Sequence, residues 1–202
     1  MNGARFMFLL GSPTDARVRR IREAKKRAKF SYEGVGRTRT LLPGGCEMHR
    51  GQFRLGEGSQ VFHKARNAIQ HWRMFDMPWV RLCASNAPIE AGNTVVILAG
   101  RLNVWMVNLC RIVYVIDEPR RYGFAYGTLP DHAEAGEERF LVEWRDDNSV
   151  WYEVLAFSHE NHWLAKLAYP IARRIQKKFR RDSGLATQKA SLVPESGALR
   201  SC

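Results

Sequence analysis

Apolar residues recur along this chain with two periods, and the switch between them marks its organisation. Val61, Phe62, Ala65, Ala68, Ile69 and Trp72 fall on one face over about four turns, which predicts an amphipathic helix with Ser59 as its cap. Gln52 to Leu55 alternates ahead of it and reads as an edge strand. From Val80 the texture changes to short apolar runs bounded by turn residues: Val80 to Ala84, Val95 to Ala99, Val104 to Ile116, Tyr122 to Thr128, Arg139 to Arg145 and Val150 to Ser158. Gly100 to Asn103 can turn the chain, and Asp146-Asp147-Asn148-Ser149 predicts a hairpin. Strands this closely spaced are expected to pair antiparallel.

The helical period returns in His162 to Arg181. Leu164, Leu167, Ala168, Ile171, Ala172, Ile175 and Phe179 lie opposite Lys166, Arg173, Arg174, Lys177, Lys178, Arg180 and Arg181. Pro170 is expected either to kink this helix or to start its second half. From 184 the sequence turns small and polar and reads as a flexible tail. Near the other end, Ser12-Pro13-Thr14-Asp15 predicts a helix capped by Ser12 and running to about Lys29, with a narrow stripe of Val18, Ile21, Ala24 and Ala28.

Together these elements predict an α+β protein: a curved antiparallel sheet of about six or seven strands wrapped around a long C-terminal helix. The expected divisions are a basic N-terminal helix and linker at 1–45, the sheet-and-helix domain at 46–183 and the tail at 184–202. Such a sheet leaves a cavity against the helix unless large side chains fill it. Trp105, Tyr126, Trp144, Trp151 and Trp163 are the aromatic residues expected to contact a ligand there.

Composition changes this picture in one respect. The 202 residues carry a formal net charge of +12, which first suggests a nucleic acid or an anionic membrane surface. Divided along the chain, the charge is +9 over residues 1–54, −4 over 55–165 and +7 over 166–202. The excess belongs to the two basic ends, which remain candidate surfaces for such partners, and the sheet region is mildly acidic. No apolar run reaches the roughly 18 residues of a spanning helix, and Phe6 to Leu10 is short for a signal peptide, so a soluble, cytoplasmic protein is expected. Cys46, Cys83, Cys110 and Cys202 form no C-x-x-C pair, which predicts reduced thiols and no zinc site.

The sharpest polar constellation is His132, Glu134, Glu137 and Glu138, between two strands and near Tyr126 and Thr128. His132 with Glu134 or Glu138 has the residue types of a metal site or an acid/base pair. A solvated hairpin with Glu137 or Glu138 paired to Arg120, Arg121 or Arg139 is the competing reading. Tyr126, His132 and Glu138 are the candidate catalytic residues. His159-Glu160-Asn161-His162 spaces its histidines three apart, not four as in H-E-x-x-H, and reads as helix capping. Cys110, inside an apolar run, reads as a buried small hydrophobe. No phosphate loop or nucleophile elbow is present, and no cofactor or metal is expected.

Tyr114-Val-Ile-Asp-Glu-Pro-Arg-Arg-Tyr-Gly-Phe-Ala-Tyr-Gly-Thr-Leu-Pro-Asp-His-Ala-Glu-Ala-Gly-Glu-Glu-Arg-Phe, continuing through Trp144-Arg and Val150 to Ser158, resembles a family of bacterial and plant proteins catalogued as the domain of unknown function numbered nineteen-ninety. Phe30-Ser-Tyr-Glu-Gly-Val-Gly, Gly56-x-Gly58 and the closing Tyr169-Pro-x-Ala-Arg-Arg stretch extend the likeness over about residues 6 to 183. The resemblance implies a helix-grip fold of the START-like and birch-pollen-allergen-like kind. It implies no reaction and no catalytic residues. An apolar or amphipathic small molecule held between sheet and helix is the expected function; an enzyme using the same cavity and a surface interaction protein using the basic ends are the alternatives.

Overall fold

Alternation of side chains across a strand decides which residues meet in this molecule. The computed structural model describes residues 7–11, 13–40, 48–83, 88–132, 134–159 and 163–192, and within them not the side chains of Arg101 or of 159–172. The strands are β1 (Phe8–Leu10), β2 (Met48–Glu57), β3 (Val80–Cys83), β4 (Thr94–Arg101), β5 (Val104–Glu118), β6 (Arg121–Thr128), β7 (Ala135–Trp144) and β8 (Ser149–His159). The helices are α1 (Asp15–Lys25), α2 (Arg37–Thr40), α3 (Gly58–Gln70) and α4 (Trp163–Leu192), with a 3-10 turn at Arg73–Phe75. The sheet runs β2-β8-β7-β6-β5-β4-β3, every neighbour antiparallel, and β1 pairs with the start of β5 at Val104, Trp105 and Met106. This is the expected helix-grip architecture, with α4 packed against β2, β8, α3 and the 3-10 turn.

The two faces of the sheet carry separate cores. On the inner face Phe124, Phe140, Tyr152 and Val154 pack against Phe62, Ile69, Trp72 and Phe75 from α3 and the 3-10 turn. On the outer face Val96, Leu98, Trp105, Val107 and Leu109 are covered by Leu9 of β1 and by Val18 and Ile21 of α1. A register shift between Ile112 and Tyr114 swaps the parity of β5, so Cys110 and Ile112 join the inner core while Tyr114 and Ile116 join Ala125 and Leu141 outside.

The N-terminal segment is fastened to that outer face by polar contacts. Glu137 of β7 is buried and accepts hydrogen bonds from Tyr32 Oη at 2.8 Å, Gly36 N at 2.6 Å, Thr38 N at 3.0 Å and the Thr38 hydroxyl. Arg139 donates to Thr38 O at 2.6 Å and pairs with Glu153 at 2.6 Å, both side chains buried. Tyr32 lies directly over Gly127, where a Cβ would sit 2.1 Å from its hydroxyl, so no larger residue fits beneath it.

Helix boundaries depart from expectation for physical reasons. Ser12 lies outside the described residues, and α1 is capped by Thr14, whose hydroxyl accepts from Arg17 N at 3.4 Å. It stops at Lys25 because Arg111 supplies the missing donors, reaching the carbonyls of Lys25, Lys26 and Ala28 at 3.2, 2.7 and 2.7 Å. For α3 the residue before the first turn is Glu57, not Ser59. The largest correction is at α4, which runs through Pro170 and on to Leu192, so residues 184–192 are helix and not tail. Its buried face there is Ser183, Gly184, Thr187 and Ser191. Thr187 and Ser191 return their hydroxyls to the carbonyls four residues back, and Ser183 Oγ meets Tyr152 Oη at 2.6 Å. Ile175, expected on the buried stripe, is 45 % exposed. Cys83 is disulfide-bonded, contrary to the expectation of four reduced thiols, and Cys110 is free and buried. Among the described residues no helix is long and apolar enough to cross a membrane.

Candidate functional site

The aromatic core fills the half of the inner face under α3. Toward the β6–β7 loop the filling stops, and a cavity of about 140 Å³ remains between the sheet and α4. Its apolar wall includes Trp79, Val80, Ile97, Met106 and Phe179, and its polar wall includes Tyr126, His132, Glu134, Glu138, Gln176 and Arg180. Strand parity explains the sheet's contribution: Met106 and Asn108 of β5, Tyr126 and Thr128 of β6 and Glu138 of β7 all fall on the inner face.

Three of the expected residues therefore meet in one wall. Tyr126 Oη donates to Glu138 Oε2 at 2.6 Å. Burial pushes the Glu138 carboxyl up to about 7, against the hydrogen bond from Tyr126, with the Glu134 charge raising it further and Arg180 lowering it. His132 Nδ1 accepts from Glu134 N at 2.9 Å, which leaves the proton of the neutral ring on Nε2, and burial lowers its pKa to about 4. Burial also raises Glu134, opposed by a hydrogen bond from Gln176 and by Arg180. Arg180 is itself lowered by burial. No hydrogen bond joins His132 to Glu138 among the described residues, so the two are neighbours in a wall and not a bonded acid/base pair.

The acidic constellation splits by parity. Glu137 turns its carboxylate to the outer segment while Glu138, one residue on, lines the cavity. Among the described residues, neither makes the arginine pairs expected of a solvated hairpin. Among the same residues no three His, Cys, Asp or Glu side chains are placed to hold a metal ion.

The tryptophans are placed differently from expectation. Trp105 does not line the cavity: it is on the outer face, with the Arg81 guanidinium 4.6 Å from its ring centre. Trp151, also of outward parity, lies under Arg145 and donates to Ser149 Oγ at 2.8 Å. Trp144 has inward parity but sits six residues along β7 from Glu138, roughly 20 Å away, stacked on Phe62 of α3. The Trp163 side chain lies outside the described residues, and so do residues 160–162, where helix capping was expected. Alternating apolar residues on both faces of one sheet made inner and outer tryptophans indistinguishable in sequence.

The residues sequence reasoning missed are Trp79, Gln176 and Arg180. Arg180 reads as the solvated back of an amphipathic helix, yet it is half-buried beside the cavity. Helical phase could have placed it: Gln176, Arg180, Ser183, Thr187 and Ser191 follow each other at three- and four-residue steps. Trp79 is held by its indole N–H on Asp182 Oδ2 at 2.9 Å, with Lys178 Nζ 4.6 Å from its ring centre.

Comparison with known proteins matches residues 31–186 to the family model described as "Domain of unknown function (DUF1990)". A UPF0548 protein of Dictyostelium discoideum is 33 % identical over 199 residues, covering 88 % of this chain and 92 % of that one. A UPF0548 protein of Deinococcus radiodurans is 34 % identical over 190 residues, covering 85 % and 92 %. Among solved structures, a hypothetical protein of Helicobacter pylori is similar in fold, with TM-score 0.53 at 9 % identity over 81 % of this chain and 99 % of that one. The Ara h 8.0201 structure is similar at TM-score 0.48 and 11 % identity, covering 72 % and 99 %.

Proposed function

This chain belongs to the DUF1990 family, and from the cavity of this member we propose that it binds a small amphipathic molecule between the sheet and α4. The observation that carries the reading is the composition of the cavity wall. One side is apolar, from Trp79, Val80, Ile97, Met106 and Phe179, and the other gathers Tyr126, His132, Glu134, Glu138, Gln176 and Arg180. A concave, mostly apolar site with a few convergent polar groups is how proteins fix both the body and the orientation of a ligand.

The volume sets the size of that body. A dry cavity of about 150 Å³ holds benzene, so 140 Å³ suits one ring or a short branched chain. Tyr126 and Glu138 then act as the polar end of the site, and Ile97, Met106 and Phe179 as its apolar end.

Native mass spectrometry of the protein purified from its own host tests this. A co-purifying mass is expected, and it should be lost from Met106→Trp, where the indole occupies the cavity. The reading is wrong if the wild-type chain carries no bound mass and no member of a library of one-ring amphiphiles raises its melting temperature.

A further inference from the structure

We propose that the tip of the β4–β5 hairpin, together with β1, docks on an anionic lipid bilayer, its apolar side chains entering the headgroup layer beside the arginines of α1. Such docking does not depend on what the cavity holds.

Four large apolar side chains, Phe8, Leu10, Leu102 and Val104, are exposed side by side at this end of the sheet, Leu102 to 94 %. Leu10 is the register partner of Val104 and Phe8 of Met106, so they share the inward parity, while Leu9 and Trp105 are buried on the outer face. Gly11 N donates to Asn103 O at 2.8 Å and holds the end of β1 against the turn. Single exposed apolar residues are ordinary, but a contiguous cluster marks an interaction surface.

The turn itself is shaped for display. Arg101 pairs with Val104, so Leu102 and Asn103 form a two-residue turn, and both have positive φ, 52° and 62°. That backbone favours glycine and asparagine, because the Cβ of a larger residue crowds the following carbonyl. Asn103 suits it, and Leu102 does not. A bulky apolar residue held there in water is unfavourable in conformation and in solvation together, and strain of this kind clusters at functional sites.

Charge selects the partner. α1 begins four residues after Gly11 and ends where Arg111 holds the carbonyls of Lys25, Lys26 and Ala28, so its first turns are the ones nearest the patch. Arg17, Arg19 and Arg20 are exposed there, beside Asp15, and make no ion pair among the described residues. Residues 15–29 carry eight basic and two acidic side chains, a net charge of +6. A second copy of the chain would bring the same cations to the interface, and a nucleic acid would leave the aliphatic cluster in water. An anionic bilayer takes both: apolar groups bury at the headgroup boundary, and each arginine near the surface strengthens binding about fivefold.

Co-sedimentation of the full chain with phosphatidylcholine vesicles containing about one-third phosphatidylserine tests this. Binding is expected at low salt, should weaken as salt screens the arginines, and should be at least about tenfold weaker on phosphatidylcholine alone. Leu102→Asn supplies the residue the turn favours, so it should resist urea at least as well as wild type and yet lose at least about tenfold in vesicle binding. Arg17→Gln, Arg19→Gln and Arg20→Gln combined should cost about a hundredfold. Absence of binding to the phosphatidylserine vesicles, or binding unchanged by Leu102→Asn, would overturn the assignment. It would also be overturned by a dimer in sedimentation that Leu102→Asn dissociates, which gives the patch to a second copy, or by tighter binding to duplex DNA than to vesicles, which gives the arginines to nucleic acid.

Discussion

Glu137 and Glu138 are chemically identical neighbours with opposite duties, because consecutive strand residues point to opposite faces. Glu137 gathers Tyr32, Gly36 and Thr38 on the outside, and Glu138 holds Tyr126 on the inside. Removing the first leaves buried donors without an acceptor, a loss that burial makes expensive. Glu137→Ala is expected to destabilise the fold by about 3 kcal/mol, read as a lower urea midpoint at unchanged slope. Protection of the amide protons of residues 31–40 should fall with it. An unchanged midpoint would mean that the outer segment does not depend on this carboxylate.

At the scale of elements, α4 shows what the sequence could and could not disclose. Its first part reads as a helix because large apolar residues recur at helical spacing. Its last part is missed because Ser183, Gly184, Thr187 and Ser191 bury hydroxyls and backbone, and small polar residues in sequence look like a linker. Gly184 is required by contact: a Cβ there would lie 2.5 Å from the Phe53 ring. Gly184→Val should therefore cost about 1–3 kcal/mol by overpacking, measured by urea denaturation, whereas Leu185→Val, at a position 54 % exposed, should cost less than about 1 kcal/mol. Equal effects would mean the helix is not seated on β2 as described. The strands were legible nearly throughout, since period-two runs between turn residues leave few alternatives. What stayed hidden was which face each strand turns inward. Both faces are covered here, so polarity does not distinguish them, and the shift at Ile112 reverses the count midway. Tyr126, His132 and Glu138 were found because polar residues near the end of an apolar sheet stand out; Arg180 was hidden in a run of exposed cations.

For the whole molecule, the cavity leaves a mark on stability against pH. Glu138 has a folded pKa of about 7 against 4.5 in the open chain, so its contribution is complete below 4.5 and is lost as pH rises through 7. His132 has a folded value of about 4 against 6.5, so its contribution is complete above 6.5 and is lost as pH falls through 4. Between about pH 4.5 and 6.5 the folded state holds one proton on Glu138, and the unfolded state holds one on His132. For this pair the proton counts match, and their two slopes cancel. Single variants uncover them. Glu138→Gln should gain stability with rising pH over this window at about 1.4 kcal/mol per unit, and His132→Asn should lose it at a similar rate, each relative to wild type. Parallel curves for wild type and both variants would show that neither group is buried as placed.

The fastening of the N-terminal segment has a consequence for how the chain comes into being. Ser31, Tyr32, Gly36 and Thr38 bond to partners 97 to 105 residues later in sequence, so they have nothing to dock on until β6 and β7 have been made. Contacts that close such long loops form late. On a ribosome working from the N-terminus, residues 31–38 wait in solvent until those two strands are assembled. Once β7 is in place, the Glu137 carboxylate collects Tyr32, Gly36 and Thr38, while Thr128 of β6 holds Ser31.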